Sequence, residues 1–143
     1  MLPGVSIVIP VHNKHTITRQ CIDAILAQDY AGVDREIVVV DDGSRDATPA
    51  LLASYGDKLH VLRGEEAQGF AAACNAGVNA ARNDFVVLLN NDTIPLEGWL
   101  EALVQFAVNH PSAAVVGAKL LFPNDTVQHA GVSFGIDREP FVR

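Results

Sequence analysis

The sequence predicts an α/β fold with a mostly parallel central sheet, and three observations carry that reading. Short apolar runs alternate with helix-spaced segments from the first residues onward. The runs are continuous, not alternating apolar and polar, as strands covered on both faces must be. Two of them stop abruptly in carboxylates and small polar residues: Val38-Val39-Val40-Asp41-Asp42-Gly43-Ser44 and Val87-Leu88-Leu89-Asn90-Asn91-Asp92. In an open sheet of this kind, ligands bind just beyond the carboxyl ends of the strands.

Taken in order, Val5 to Ile9 forms the first strand, and Pro10, which has no N–H to give a ladder, is expected to end it. Ile17, Cys21, Ala24, Ile25 and Gln28 recur at helical spacing and predict a helix over 16–28. Glu36 to Val40 is a second strand, and Ala47 to Ser54 a second helix, capped by Asp46 or Thr48 with Pro49 in its first turn. Leu59 to Leu62 makes a third strand, Phe70 to Ala81 an alanine-rich helix, and Phe85 to Leu89 a fourth strand. Leu96, Trp99, Leu100, Leu103, Val104 and Ala107 mark an amphipathic helix that ends at His110-Pro111. A further strand is expected over 113–116. From Lys119 the chain turns strand-like and turn-rich, with Val127 to Phe134 extended. It stops at Arg143 without an evident closing element. Residues 1–118 read as one core and 119–143 as the start of a second, truncated segment.

The bulk properties exclude several function classes. At 143 residues, 49% hydrophobic and 19% charged, the chain has the size and composition of one folded domain, not of a disordered segment. Ten Lys+Arg against seventeen Asp+Glu give a net charge of -7, and no basic run offers a nucleic-acid footprint. Met1 to Pro10 lacks the basic start and cleavage site of a secretory signal, and no apolar run approaches membrane-spanning length. Cys21 and Cys74 sit on apolar helical faces without CxxC spacing, which fits reduced core thiols in a cytoplasmic protein. No GxGxxG, GxxxxGK[ST] or GxSxG is present, which argues against dinucleotide, P-loop and α/β-hydrolase chemistry.

The strand ends are where chemistry is expected. Carboxylates brought together there repel unless a cation or hydrogen-bond donors offset them. Asp41 and Asp42 stand at one tip, where an ionised carboxylate can accept from an imide N–H or from ribose hydroxyls. An Asx-turn would use them equally well. Asp92, at the other tip, is a hard oxygen ligand suited to Mg2+ or Mn2+, and could also cap the following helix. His12 and Asn13 are exposed by the turn after Pro10. Gly69 opens the alanine-rich helix, Asn75 lies one position off its apolar stripe, and Gly77 inside it suggests close packing. His129 is a candidate ligand contact; His15, His60 and His110 show no ligand spacing.

Together, Ser6 to Asn13, Glu36 to Ser44 with Asp46-Ala47-Thr48, Gly69 to Gly77, and Leu89 to Asp92 resemble family 2 glycosyltransferases, in the family's order and spacing over nearly the whole chain. The Asn-Asn-Asp form and Gln128-His129-Ala130-Gly131 are most similar to rhamnosyltransferase-type members that build cell-surface polysaccharides. The resemblance implies a GT-A, Rossmann-like three-layer fold and an inverting transfer of sugar from a nucleotide donor to a saccharide or lipid-linked acceptor hydroxyl. It assigns Pro10, Val11, His12 and Asn13 to the loop packing on the base, and Asp41 and Asp42 to the acidic pair, one of which binds the base. Gly69 and Asn75 border the nucleotide, Asn91 belongs to the metal motif, and Asp92 holds the Mg2+ or Mn2+ that bridges the diphosphate. The donor would be UDP-, dTDP- or GDP-linked, and membrane-surface attachment would come through a part outside this chain. His12 replaces a usual aromatic, and Lys14 a common acidic residue. The family's general base lies in a later acidic motif, for which Asp125, Asp137 and Glu139 are poor substitutes. The chain is therefore expected to be a donor-binding half that transfers sugar poorly. The rival readings are a nucleotide-sugar-binding module without catalysis, a response-regulator receiver and a nucleotidyltransferase.

Overall fold

The computed structural model describes residues 2–30, 32–134 and 140–142. They fall into two compact units, Met1–Trp99 and Leu100–Arg143. In the first, four strands pair in the order β3-β2-β1-β4: β1 (Val5–Val11), β2 (Arg35–Asp41), β3 (His60–Arg63) and β4 (Phe85–Leu88). All three pairings are parallel. Helices α1 (His15–Leu26), α2 (Thr48–Ser54) and α3 (Phe70–Ala80) form the crossovers. With all strands parallel, their carboxyl ends share one edge of the sheet.

β1 is central and wholly buried, which explains its unbroken apolar run. Val8, Val38, Val40 and Ala73 form a core between the sheet and α3, with Leu62, Ala80 and Val86 packed around it. Gly77 makes that contact possible, since a Cβ there would collide with the Val8 side chain and lie 3.0 Å from Val40 Cγ2. Ile7, Ile9 and Val39 alternate with these residues, point to the opposite face and have no exposure. That face carries α1 and α2, which pack on each other and bury Cys21, Ile22, Ile25, Leu51 and Leu52.

Pro10 does not end β1. It pairs in register with Val40, and the strand runs on to Val11. The direction of its missing N–H explains why. Val5 N donates to Asp34 O and Val11 O accepts from Asp42 N, so odd residues face β2, while Val8 O accepts from Leu89 N on the β4 side. Pro10, two residues beyond Val8, therefore faces β4, whose pairing with β1 has already stopped at Val8. The proline lies in a central strand at a position that needs no donor.

The second unit contains all but the first residue of α4 (Trp99–Asn109). It adds two antiparallel pairs, β5 (Leu120–Leu121) with β6 (Val127–His129), and β7 (Val132–Phe134) with β8 (Pro140–Val142). The strand expected over 113–116 is absent: the backbone there is irregular and Val115 is 88% exposed, so its apolar residues mark no buried strand. The extended stretch 127–134 is split at Ala130-Gly131, where Gly131 has φ +126°. Asp137 and Glu139 lie outside the described residues.

Candidate functional site

At the end of β2, the two carboxylates have separate partners. Asp41 has no exposure. Its Oδ1 accepts from Ser44 N (2.9 Å), and its buried Oδ2 lies 3.2 Å from Arg63 Nη1. That second contact is an ion pair outside hydrogen-bond geometry. Arg63 is the register partner of Asp41 on β3, and its Nη2 donates to Ser44 O (3.2 Å). Asp42 instead accepts from two consecutive backbone amides, Gln68 N (2.7 Å) and Gly69 N (2.9 Å), at the start of α3. A carboxylate at a helix N-terminus is favoured by the orphan donors and the helix dipole. Gly69, with φ +93°, is the N-cap that turns its amide toward Asp42. The repulsion expected between adjacent acids is offset by these donors.

A cavity of about 230 Å³ opens between these strand ends and α3. Val40, Leu62, Ala73 and Ala76 give it apolar walls, and Asp42, Arg63 and Gln68 supply polar groups. An apolar slot with a few fixed polar groups is the usual form of a small-molecule site.

The loop after β1 is tied to the loop after β2. Asn13 N donates to Ser44 Oγ (2.7 Å), and Asn13 Oδ1 accepts from Arg45 N (2.8 Å) and Asp46 N (3.3 Å). These bonds fix the amide orientation, so Nδ2 faces His12 Nε2 at 2.9 Å. His12 Nδ1 lies 2.6 Å from the Asp42 carbonyl. A carbonyl only accepts and an amide nitrogen only donates, so His12 carries its proton on Nδ1 and accepts at Nε2. Both ring nitrogens are thereby committed, in an otherwise exposed residue. Asp46 Oδ1 accepts from Thr48 N (2.9 Å) and closes the turn into α2.

At the end of β4, Asn90 O accepts from Thr93 N (3.3 Å) and Thr93 Oγ1 (2.7 Å). This closes a turn that leaves Asp92 exposed. The Asp92 carboxylate makes no hydrogen bond or ion pair among the described residues. Asn91 Nδ2 donates to Thr18 Oγ1 (2.9 Å) on α1. Cys21 Sγ points at Asn90 O (3.7 Å). Burial pushes the Cys21 thiol up to about 11; the nearby Asp92 charge adds to this and hydrogen bonding from Thr93 works against it. It is a core thiol, not a nucleophile. Among the described residues no three His, Cys, Asp or Glu side chains gather as a cation cage. An uncommitted hard carboxylate is nonetheless what Mg2+ or Mn2+ needs when phosphate oxygens and water complete its shell.

Of the residues singled out from sequence, His12, Asn13, Asp41, Asp42 and Gly69 are joined by the hydrogen bonds above. Pro10 and Val11 lie buried in β1 behind them, and Val11 O holds Asp42 N (2.8 Å). Asn91 and Asp92 occupy the separate β4 turn. Asn75 is exposed on α3 and does not line the cavity, and His129 lies on β6 of the second unit. Arg63 and Gln68 were not anticipated. Arg63 had one legible signal, a charged residue directly closing the strand-like segment Leu59–Leu62; the Gln68 contribution is its backbone N–H, which no side-chain pattern reveals.

The sequence matches the family model Glycosyl transferase family 2 over residues 6–137. It is 32% identical over 124 residues to glycosyltransferase AglE of Haloferax volcanii, covering 85% of this chain and 40% of that protein. It is 35% identical over 136 residues to the O-antigen biosynthesis protein RfbC of Myxococcus xanthus, covering 94% of this chain and 11% of that protein. The chain thus spans well under half the length of these relatives. Among solved structures, it superposes on the mannosyltransferase PcManGT of Pyrobaculum calidifontis, in complex with GDP-Man and Mn2+, with TM-score 0.70 and 27% identity over 87% of this chain and 37% of that one. It superposes on S. aureus TarS 1–349, in complex with UDP-GlcNAc, with TM-score 0.66 and 25% identity, over 76% of this chain and 32% of that one. The strand ends, the committed acidic pair and the family match over most of its length place this α/β chain, with its GT-A fold, in glycosyl transferase family 2.

Proposed function

We propose that this chain binds the nucleotide-sugar donor of an inverting glycosyltransferase of cell-surface polysaccharide synthesis, in the cytoplasm. The observation that carries the proposal is the cavity at the carboxyl ends of β2 and β3, with Asp42, Arg63 and Gln68 on an apolar wall. It suits a flat base with a few edge polar groups. The two structural neighbours bound to GDP-Man and to UDP-GlcNAc support the ligand class, and similarity to an O-antigen biosynthesis protein supports the pathway class.

In this reading Asp42 and Arg63 face the base edge, and the pinned His12 ring offers a face for stacking. Asp41, fully buried, holds the turn through Ser44 and Arg63. Pro10, Val11 and Asn13 shape the loop, Gly69 borders the nucleotide through its amide on Asp42, Asn91 supports Asp92, and Asn75, outside the cavity lining, takes no part in holding the base. Asp92 would hold a Mg2+ or Mn2+ ion, which, when bound, neutralises charge on the departing nucleoside diphosphate. Donor binding belongs to residues 1–118 and the acceptor side begins in 119–143. The acceptor is a saccharide or lipid-linked hydroxyl. Among the described residues no helix is long and apolar enough to cross a membrane.

The test is calorimetric titration of UDP, dTDP and GDP, each with and without Mn2+, on this chain and on Asp92→Asn. One nucleotide should bind, more tightly with Mn2+, and the substitution should abolish the metal-dependent gain. If no nucleotide binds under either condition, the donor-site reading is wrong.

A further inference from the structure

The loop that presents Asp92 is fastened on both sides of that residue, to α1 before it and to the segment just beyond α1 after it. Before it, Thr18 Oγ1 accepts from Asn91 Nδ2 (2.9 Å) and Cys21 Sγ reaches Asn90 O (3.7 Å). After it, Gln28 Nε2 donates to Pro95 O (2.6 Å). Thr18 and Cys21 are one turn apart on one face of the helix, and both are buried. Thr18 has no exposure, so its hydroxyl is aimed from the core at the loop. Asn90 O also takes both Thr93 donors, so the turn is closed from within as well as from behind. Asp92 itself is exposed and uncommitted at the tip.

A carboxylate that contributes one bond to an ion otherwise held by phosphate and water must be presented in a fixed position. Removing an outer group that orients such a ligand typically costs roughly 10–100-fold in metal affinity. We infer that Thr18 and Asn91 are positioning residues for Asp92: their hydrogen bond, backed by Cys21 and Gln28, lets α1 hold the carboxylate where a divalent cation on the nucleotide can meet it. This rests on the donor-site reading, and it gives Asn91 a supporting role instead of a direct contact with nucleotide or metal. The sequence hides the relation, because Thr18 looks like an unremarked polar residue between Ile17 and Arg19.

Mn2+ binding, followed by electron paramagnetic resonance in the presence of the nucleotide selected by calorimetry, tests it on the whole chain. Thr18→Val keeps the shape of the buried side chain and removes its acceptor. It should weaken Mn2+ binding by about tenfold, leave metal-free nucleotide affinity unchanged, and keep the parental circular dichroism spectrum. Thr18→Ser should restore Mn2+ affinity to near the parental value. Asn91→Ala, on the surface side of the same bond, should reproduce Thr18→Val without touching the core. Parental Mn2+ binding in Thr18→Val overturns the inference while leaving the donor site intact. So does loss in Asn91→Ala alone, which would make Asn91 a direct ligand, and so does equal loss of metal-free nucleotide binding, which would mean general disruption. If the parent chain binds nucleotide but no Mn2+ in its presence, the metal part of the donor-site reading fails and this inference with it.

Discussion

At Gly43 the backbone turns with φ +67°, and an added Cβ would lie 2.7 Å from both Glu66 C and Ala67 N. Only glycine lets the turn after the acidic pair pass this close to the loop that delivers Gln68 and Gly69 to Asp42. Gly43→Ala should therefore destabilise the fold by roughly 1–3 kcal/mol in urea unfolding. It should also weaken nucleotide binding by more than a comparable loss of stability elsewhere in the sheet would. The sequence made Asp41, Asp42 and Gly43 visible as a unit, because carboxylates ending an apolar run are conspicuous. It left open which acid does what. That division depends on partners distant in sequence, the Arg63 cation for Asp41 and the amides of residues 68 and 69 for Asp42, and backbone amides leave no mark in a residue pattern.

Among the elements, α3 illustrates how close approach outweighs propensity. Alanine at position 77 would gain about 1 kcal/mol of helix propensity over glycine. Its Cβ, however, would enter the Val8 side chain in a core that has no slack. Overpacking of this kind costs typically 1–3 kcal/mol, so Gly77→Ala should lower the midpoint of thermal unfolding despite the better helix former. The helices of the first unit were legible from apolar residues at helical spacing and its strands from short apolar runs, and the bounds shifted by only a few residues. Two expectations failed for physical reasons. Pro10 was read by its general preference, when what mattered was which neighbour its nitrogen faces. Ala113 to Val116 was read by apolarity alone, and nothing in a four-residue run distinguishes a buried strand from an exposed connection.

For the molecule as a whole, the opposite end of the sheet is held by one polar knot. Glu36 on β2 accepts from Ser6 Oγ on β1 (2.6 Å), from Arg82 N, and from Arg82 Nε just after α3 (2.7 Å). Burial raises the Glu36 pKa, but these bonds outweigh it and hold it below its ordinary value. A carboxyl depressed in the folded state stabilises fully above its unfolded pKa, about 4.3, and the contribution disappears as pH falls through the folded value. The urea midpoint of the parent should thus exceed that of Glu36→Gln at pH 7, and the gap should narrow toward pH 3. Family membership sets aside the receiver and nucleotidyltransferase readings. The seam between β1 and β4 carries a last consequence. Beyond Val8 the ladder has no next rung, because Pro10 offers no hydrogen to close it. From there to Val11 the strand is laddered to β2 alone, and its margin toward β4 stays unpaired. The carboxyl edge of the sheet is thus notched by the choice of one residue, with no break in the strand that carries it.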